Sequence, residues 1–116
     1  MSTLILETTV RNQESAAVID LFGVMDGFAE EALNTAYIQA ESLNKEVILL
    51  NFGEVTYINS TGIALIVGLL AKARKNHKRL FTCGLSSHYV EIFQITRLAD
   101  FMGIYSDEES ALREAN

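Results

Sequence analysis

The chain of 116 residues carries nine lysines and arginines against fifteen aspartates and glutamates, a net charge of −6, with 49% apolar and 21% charged residues. That length suits one domain with one continuous core, 1–116, and the composition is that of a globular chain without a low-complexity linker. The acidic balance disfavours nucleic acid and anionic lipid as partners, and the single cysteine, Cys83, excludes an intramolecular disulfide.

Leu4, Leu6, Thr8 and Val10 alternate with Ile5, Glu7 and Thr9, the period of two expected of a strand covered on one face. Asn12-Gln13-Glu14-Ser15 supplies turn residues before a second run, 16–22. The first two strands are therefore predicted to form an antiparallel hairpin that Gly23 ends. The segment 28–43 places Ala29, Leu33, Ala36, Tyr37 and Ala40 at helical spacing. Val47-Ile48-Leu49-Leu50 is a continuous apolar run, as expected of a central strand buried on both faces.

A second helix is predicted over 60–76. Lys72, Arg74, Lys75, Lys78 and Arg79 gather near its end and read as a solvated last turn, where cations suit the helix dipole. A strand over 80–83 places Cys83 as a buried thiol. A third helix is predicted from Ser86 or Ser87, whose hydroxyl can cap it, through Tyr89, Ile92 and Phe93 to Thr96. A short strand at 103–105 precedes Ser106-Asp107-Glu108-Glu109, in which Ser106 and Glu109 are spaced as a capping box for a last helix.

Alternating strands and helices imply an α/β fold: a mostly parallel sheet of four to five strands, an antiparallel first strand and about four helices. His77 and His88 are the only histidines. Both are expected at the surface, and no metal-ligand spacing or phosphate-binding glycine loop is present. Neither a metal nor a cofactor is expected. The longest apolar stretch, 63–71, is far below the ~20 residues of a spanning helix, and no basic-then-apolar leader opens the chain, so a cytoplasmic location without membrane insertion is expected.

Sites in such sheets lie beyond the carboxyl ends of strands, where Asn59-Ser60-Thr61-Gly62 falls. Asn, Ser and Thr are good helix caps, and capping alone would account for them. The helix that follows has two apolar stripes. Ile63, Ile66, Val67 and Leu70 are expected to face the core, with Leu65 and Leu69 on the far side beside Thr61, Ala64 and Gly68. An apolar patch beside the cap points to docking of another protein. Ser60 has no histidine or lysine base near it in sequence, so catalysis is not expected.

With these pieces in order, the chain resembles the STAS domain of bacterial anti-anti-sigma factors, the antagonists of anti-sigma kinases. Gly23-Val24-Met25-Asp26 is similar to a family Gly-x-Leu-Asp, and the strand and loop at 47–57 lead into Asn59-Ser60-Thr61-Gly62-Ile63, similar to Asp-Ser-Ser/Thr-Gly-Leu. Ile92-Phe93-Gln94-Ile95-Thr96 and the segment 106–112 match later elements. The resemblance implies that an ATP-dependent anti-sigma serine kinase of histidine-kinase-like ATPase fold phosphorylates Ser60 and that a PP2C-type phosphatase reverses it. It also implies that the unphosphorylated chain binds the anti-sigma factor and so frees a sigma factor. The implied partner surface comprises Asp26, Asn59, Ser60, Thr61, Gly62, Ala64, Leu65 and Leu69. Asn59 stands where the family carries aspartate, which points to a second reading, an unmodified STAS subunit of a membrane transport ATPase or other signalling complex. Arg97 stands where glycine commonly follows Thr96, which disfavours a left-handed helix end there.

Overall fold

The computed structural model describes residues 5–116. Leu4 of the first predicted strand lies outside them. Strands β1 (Glu7–Asn12) and β2 (Ala17–Met25) form the predicted antiparallel hairpin, with Thr8 opposite Leu21 and Val10 opposite Ile19. Gly23 does not end β2. Its φ is +105° and the register with the next strand shifts there, so glycine allows an irregularity inside a strand that continues to Met25.

After a 3-10 turn (Gly27–Ala29) that buries Ala29, helix α1 (Glu30–Glu41) buries Leu33, Ala36, Tyr37 and Ala40, as the apolar spacing predicts. Strand β3 (Val47–Ile58) runs parallel to β2 on one side and to β4 (Arg79–Cys83) on the other. It is longer than the 47–50 apolar run because residues 54–58 go on pairing with the end of β2, from Phe22 to Met25. Helix α2 (Ser60–Lys75) joins β3 to β4, helix α3 (Ser87–Ile95) follows, and β5 (Gly103–Tyr105) pairs parallel with β4 before α4 (Glu108–Ala115). The sheet order is β1-β2-β3-β4-β5, an α/β fold with a mixed five-stranded sheet.

Each face of the sheet has its own core. On one, α1, α2 and α3 pack with Ile66, Leu70 and Phe93 over Ile19, Leu21, Ile48 and Leu50. On the other, Ala111 of α4 packs over Val18, Val47, Leu49, Phe81 and Cys83. This two-sided cover explains the unbroken apolar run Val47–Leu50. It also buries the Cys83 thiol and pushes its pKa up to about 11, chiefly by desolvation.

Three predicted helix ends differ in detail. Ser86 occupies the cap position of α3, but neither its side chain nor that of Ser87 makes a capping bond. The cap of α4 is Asp107, whose carboxylate accepts from the Ser110 N–H at 2.8 Å, so Ser106 is displaced from that role by a stronger, charged acceptor one residue on. Arg97 adopts the left-handed conformation, φ 68°, despite its side chain. The Arg97 N–H still reaches the Gln94 carbonyl at 3.1 Å, and its Nε reaches Asp100 at 2.6 Å, contacts that hold a conformation costing about 1 kcal/mol.

Candidate functional site

Two connections meet at the carboxyl end of the central strands. Met25 closes β2 and Ile58 closes β3, and the Asn59 N–H donates to the Met25 carbonyl at 3.1 Å. From α3, the Tyr89 hydroxyl accepts from the Ile58 N–H at 2.9 Å, a tie that sequence reasoning missed because nothing local marks it. The helix that starts here is therefore fixed at its root by backbone from β2 and a side chain from α3.

Asn59 is the cap of α2, extended at φ −94°, and its Oδ1 accepts from the Gly62 N–H at 2.8 Å. Gly62 is buried because the helix crosses directly over the end of β2. A Cβ on it would lie 2.1 Å from the Met25 carbonyl oxygen. Asn59 and Gly62 thus shape the helix start from beneath, and Ser60 and Thr61 sit exposed above it. Their N–H groups belong to the first helical turn, where donors lack partners within the helix and the dipole is positive.

Asp26 lies alongside. Its carboxylate accepts from the Phe28 N–H at 2.9 Å and caps the 3-10 turn, which is the role in which the structure places it. That turn abuts α2, since a Cβ on Gly27 would be 3.5 Å from the Thr61 methyl. Glu30 and Glu31 follow in the first turn of α1, where carboxylates suit the helix dipole.

The apolar stripes of α2 fall differently from expectation. Leu69 is 2% exposed and belongs to the core with Ile66, Leu70 and Ala73, so it cannot be a surface residue of the site. Leu65 is half-buried and packs against the same core, as does Ile63. Val67, expected inside, is 44% exposed. The outward strip that continues from Ser60 and Thr61 is Ala64, Val67, Gly68 and Ala71. The cause is Gly62: its forced contact with Met25 turns residues 62, 66, 69 and 73 inward, and this rotates the rest of the helix with them.

The structure therefore brings Asp26, Asn59, Ser60, Thr61 and Ala64 to one end of the molecule, with Gly62 beneath. The pocket formed nearby by Phe52, Val55, Ile58, Gly84, Leu85 and Tyr89 is lined by neither Ser60 nor Thr61. Among the described residues no group of three or more His, Cys, Asp or Glu is placed to hold a metal ion, and no helix is long and apolar enough to cross a membrane.

Comparison with known proteins gives one consistent result. Residues 7–111 match the STAS domain. The chain is 29% identical over 104 residues to an anti-sigma-B factor antagonist of Staphylococcus aureus, covering 90% of this chain and 94% of that one. Among solved structures, an anti-sigma factor antagonist from Mycobacterium paratuberculosis superposes with a TM-score of 0.81 at 16% identity, covering 95% of this chain and 93% of that one. A sulfate transporter family protein from Wolinella succinogenes superposes with a TM-score of 0.76 at 16% identity, over 90% of this chain and 88% of that one. At these identities the two superpositions speak to the fold alone.

Proposed function

The chain belongs to the STAS domain family, and from that premise we propose that it is a cytoplasmic anti-sigma factor antagonist, itself without catalytic activity, whose docking surface is the start of α2. In the unphosphorylated form it binds an anti-sigma serine kinase and so releases a sigma factor. Phosphorylation of Ser60 by that kinase ends the binding, and a PP2C-type phosphatase restores it. The kinship with named anti-sigma-B factor antagonists supports the role. The observation that carries the switch is the state of Ser60: exposed, at the first position of α2, beside a cap already supplied by Asn59.

A phosphate adds roughly −1.5 to −2 charge at neutral pH. At a helix N-terminus the domain itself tolerates that charge, because unpaired N–H groups and the dipole favour it. A partner packed against Thr61 and Ala64 does not, since the phosphate must lose water and the close contact is lost. A total penalty of ~3 kcal/mol weakens binding about a hundredfold.

Incubation with a cognate anti-sigma kinase and ATP, followed by phosphate-affinity electrophoresis, is expected to shift the wild-type band and leave Ser60→Ala unshifted. A wild-type band that stays in place beside a shifted control substrate would sink the switch. The second reading is an unmodified STAS subunit of a membrane transport ATPase or other signalling complex. Asn59 favours it, since the family's aspartate is missing beside the serine. Under that reading, partner pull-down returns a transport ATPase, and Ser60→Asp and Ser60→Ala bind the partner equally well.

A further inference from the structure

Phe28 is 80% exposed, the most exposed of the large apolar side chains among the described residues. Its position is not that of a loose loop. The Asp26 carboxylate holds the Phe28 N–H, the Ala29 N–H donates to the Asp26 carbonyl at 3.0 Å, and Ala29 is fully buried. The ring is therefore carried into water on a pinned backbone, on the 3-10 turn that packs against Thr61 at the start of α2. A rigid aromatic with two side-chain torsions loses little entropy on docking, which is why such residues dominate binding energy at interfaces.

The charged residues nearest it in sequence have one sign. Asp26, Glu30 and Glu31 flank Phe28, and the sequence holds no lysine or arginine from residue 12 to 44 or from 46 to 71. The cap of the 3-10 turn and the first turn of α1 thus contribute carboxylates, and neither they nor the first turn of α2 contribute a cation. We propose that Phe28 is the apolar anchor of the docking surface, and that the partner is a protein presenting an apolar socket flanked by lysine or arginine side chains that face Asp26, Glu30 and Glu31. This rests on the reading that a partner docks at the start of α2. It adds which side chain supplies the affinity and what the partner's surface must be.

The test places a photo-crosslinking phenylalanine analogue at position 28 of the full chain in its native host, with positions 95 and 101, also exposed, as controls. The expected result is a protein adduct from position 28 whose linked peptide is apolar and bordered by lysine or arginine, with none from 95 or 101. Capture alone is not enough. The captured protein, once purified, is titrated with wild type, Phe28→Ala, Phe28→Leu and Glu31→Lys. Phe28→Ala is expected to weaken binding about 30-fold with unchanged thermal unfolding, the size of an interface hot spot. Phe28→Leu keeps most of the affinity, and Glu31→Lys slows association and reduces its salt dependence. No adduct from position 28, an adduct with a second copy of the chain, an acidic linked peptide, or a Phe28→Ala loss below about tenfold each overturns the proposal. Ser60→Asp separates it from the switch: an adduct at 28 that survives this change defeats phosphorylation control and leaves the anchor standing.

Discussion

At Gly62 the backbone leaves no room for a side chain. A Cβ would lie 2.1 Å from the Met25 carbonyl oxygen and 3.1 Å from the Ile58 side chain. Neither neighbour can yield cheaply, because the same Met25 carbonyl accepts from Asn59 and β2 and β3 are paired at this point. Gly62→Ala is expected to lower the unfolding free energy by about 3 kcal/mol or more, as overpacking against backbone does. Gly68, on the outward side of the same helix, has nothing within 4 Å of an added Cβ, so Gly68→Ala is expected to raise stability by about 0.5–1 kcal/mol. Urea unfolding of the two variants checks both signs at once, and a Gly62→Ala protein as stable as wild type would refute the close approach. Asn59 sets a second residue-scale expectation. Asn59→Ala removes the acceptor for Gly62 and should cost about 1 kcal/mol, whereas Asn59→Asp keeps the acceptor, adds charge at the positive helix end and should unfold at an equal or higher temperature at neutral pH.

For whole elements, α2 shows why some of the fold was legible in the sequence and some was not. The hairpin, the burial of α1 and the place of β3 follow from patterns with one solution: alternation, a single apolar stripe, an unbroken apolar run. Helix α2 has apolar residues around most of its circumference, so a 100° period permits more than one inward stripe. The period alone therefore places Leu69 outward and Val67 inward, the reverse of what the structure shows. The signal that decides between stripes was present in Gly62, but its force comes from contact with Met25, 37 residues earlier, and not from the helix itself. Helix caps pose the same difficulty on a smaller scale: Ser106 and Asp107 are both good capping residues, and only the local backbone chooses Asp107. The corrected register is testable. Leu69→Ala should cost about 2–5 kcal/mol as a core truncation, and Val67→Ser should change stability by no more than about 0.5 kcal/mol. Equal losses for the two would return Val67 to the core.

Across the whole molecule, the sheet is held unequally on its two faces: α1, α2 and α3 cover one, and the eight residues of α4 cover the other. What ties α4 down is a polar clasp that no sequence pattern announces, because Arg11 and Glu108, the pair that reaches α4, lie 97 residues apart. Arg11 on β1 bonds Asp20 on β2 at 2.6 Å and 2.9 Å, and its Nη1 reaches Glu108 at the start of α4 at 3.1 Å. Asn51 on β3 donates a further bond to Asp20 at 2.8 Å. The Arg11 guanidinium, and after it the Asn51 amide, hold the Asp20 carboxyl below the usual carboxylate range, against the opposing effect of burial. A carboxyl that binds its proton less tightly in the folded chain than in the unfolded one stabilises the fold fully above its unfolded pKa, about 4. That contribution is lost as pH falls through the lower, folded pKa. Asp20→Asn is therefore expected to be less stable than wild type by about 1–3 kcal/mol at pH 7, since Arg11 loses a charged acceptor in a partly buried setting. The gap should narrow steadily below pH 4, because acid removes the same charge from wild type. Urea midpoints for both proteins at pH 7, 5, 4 and 3 read this directly. A gap that stays constant down to pH 3 would mean that Asp20 acts through its shape and not its charge.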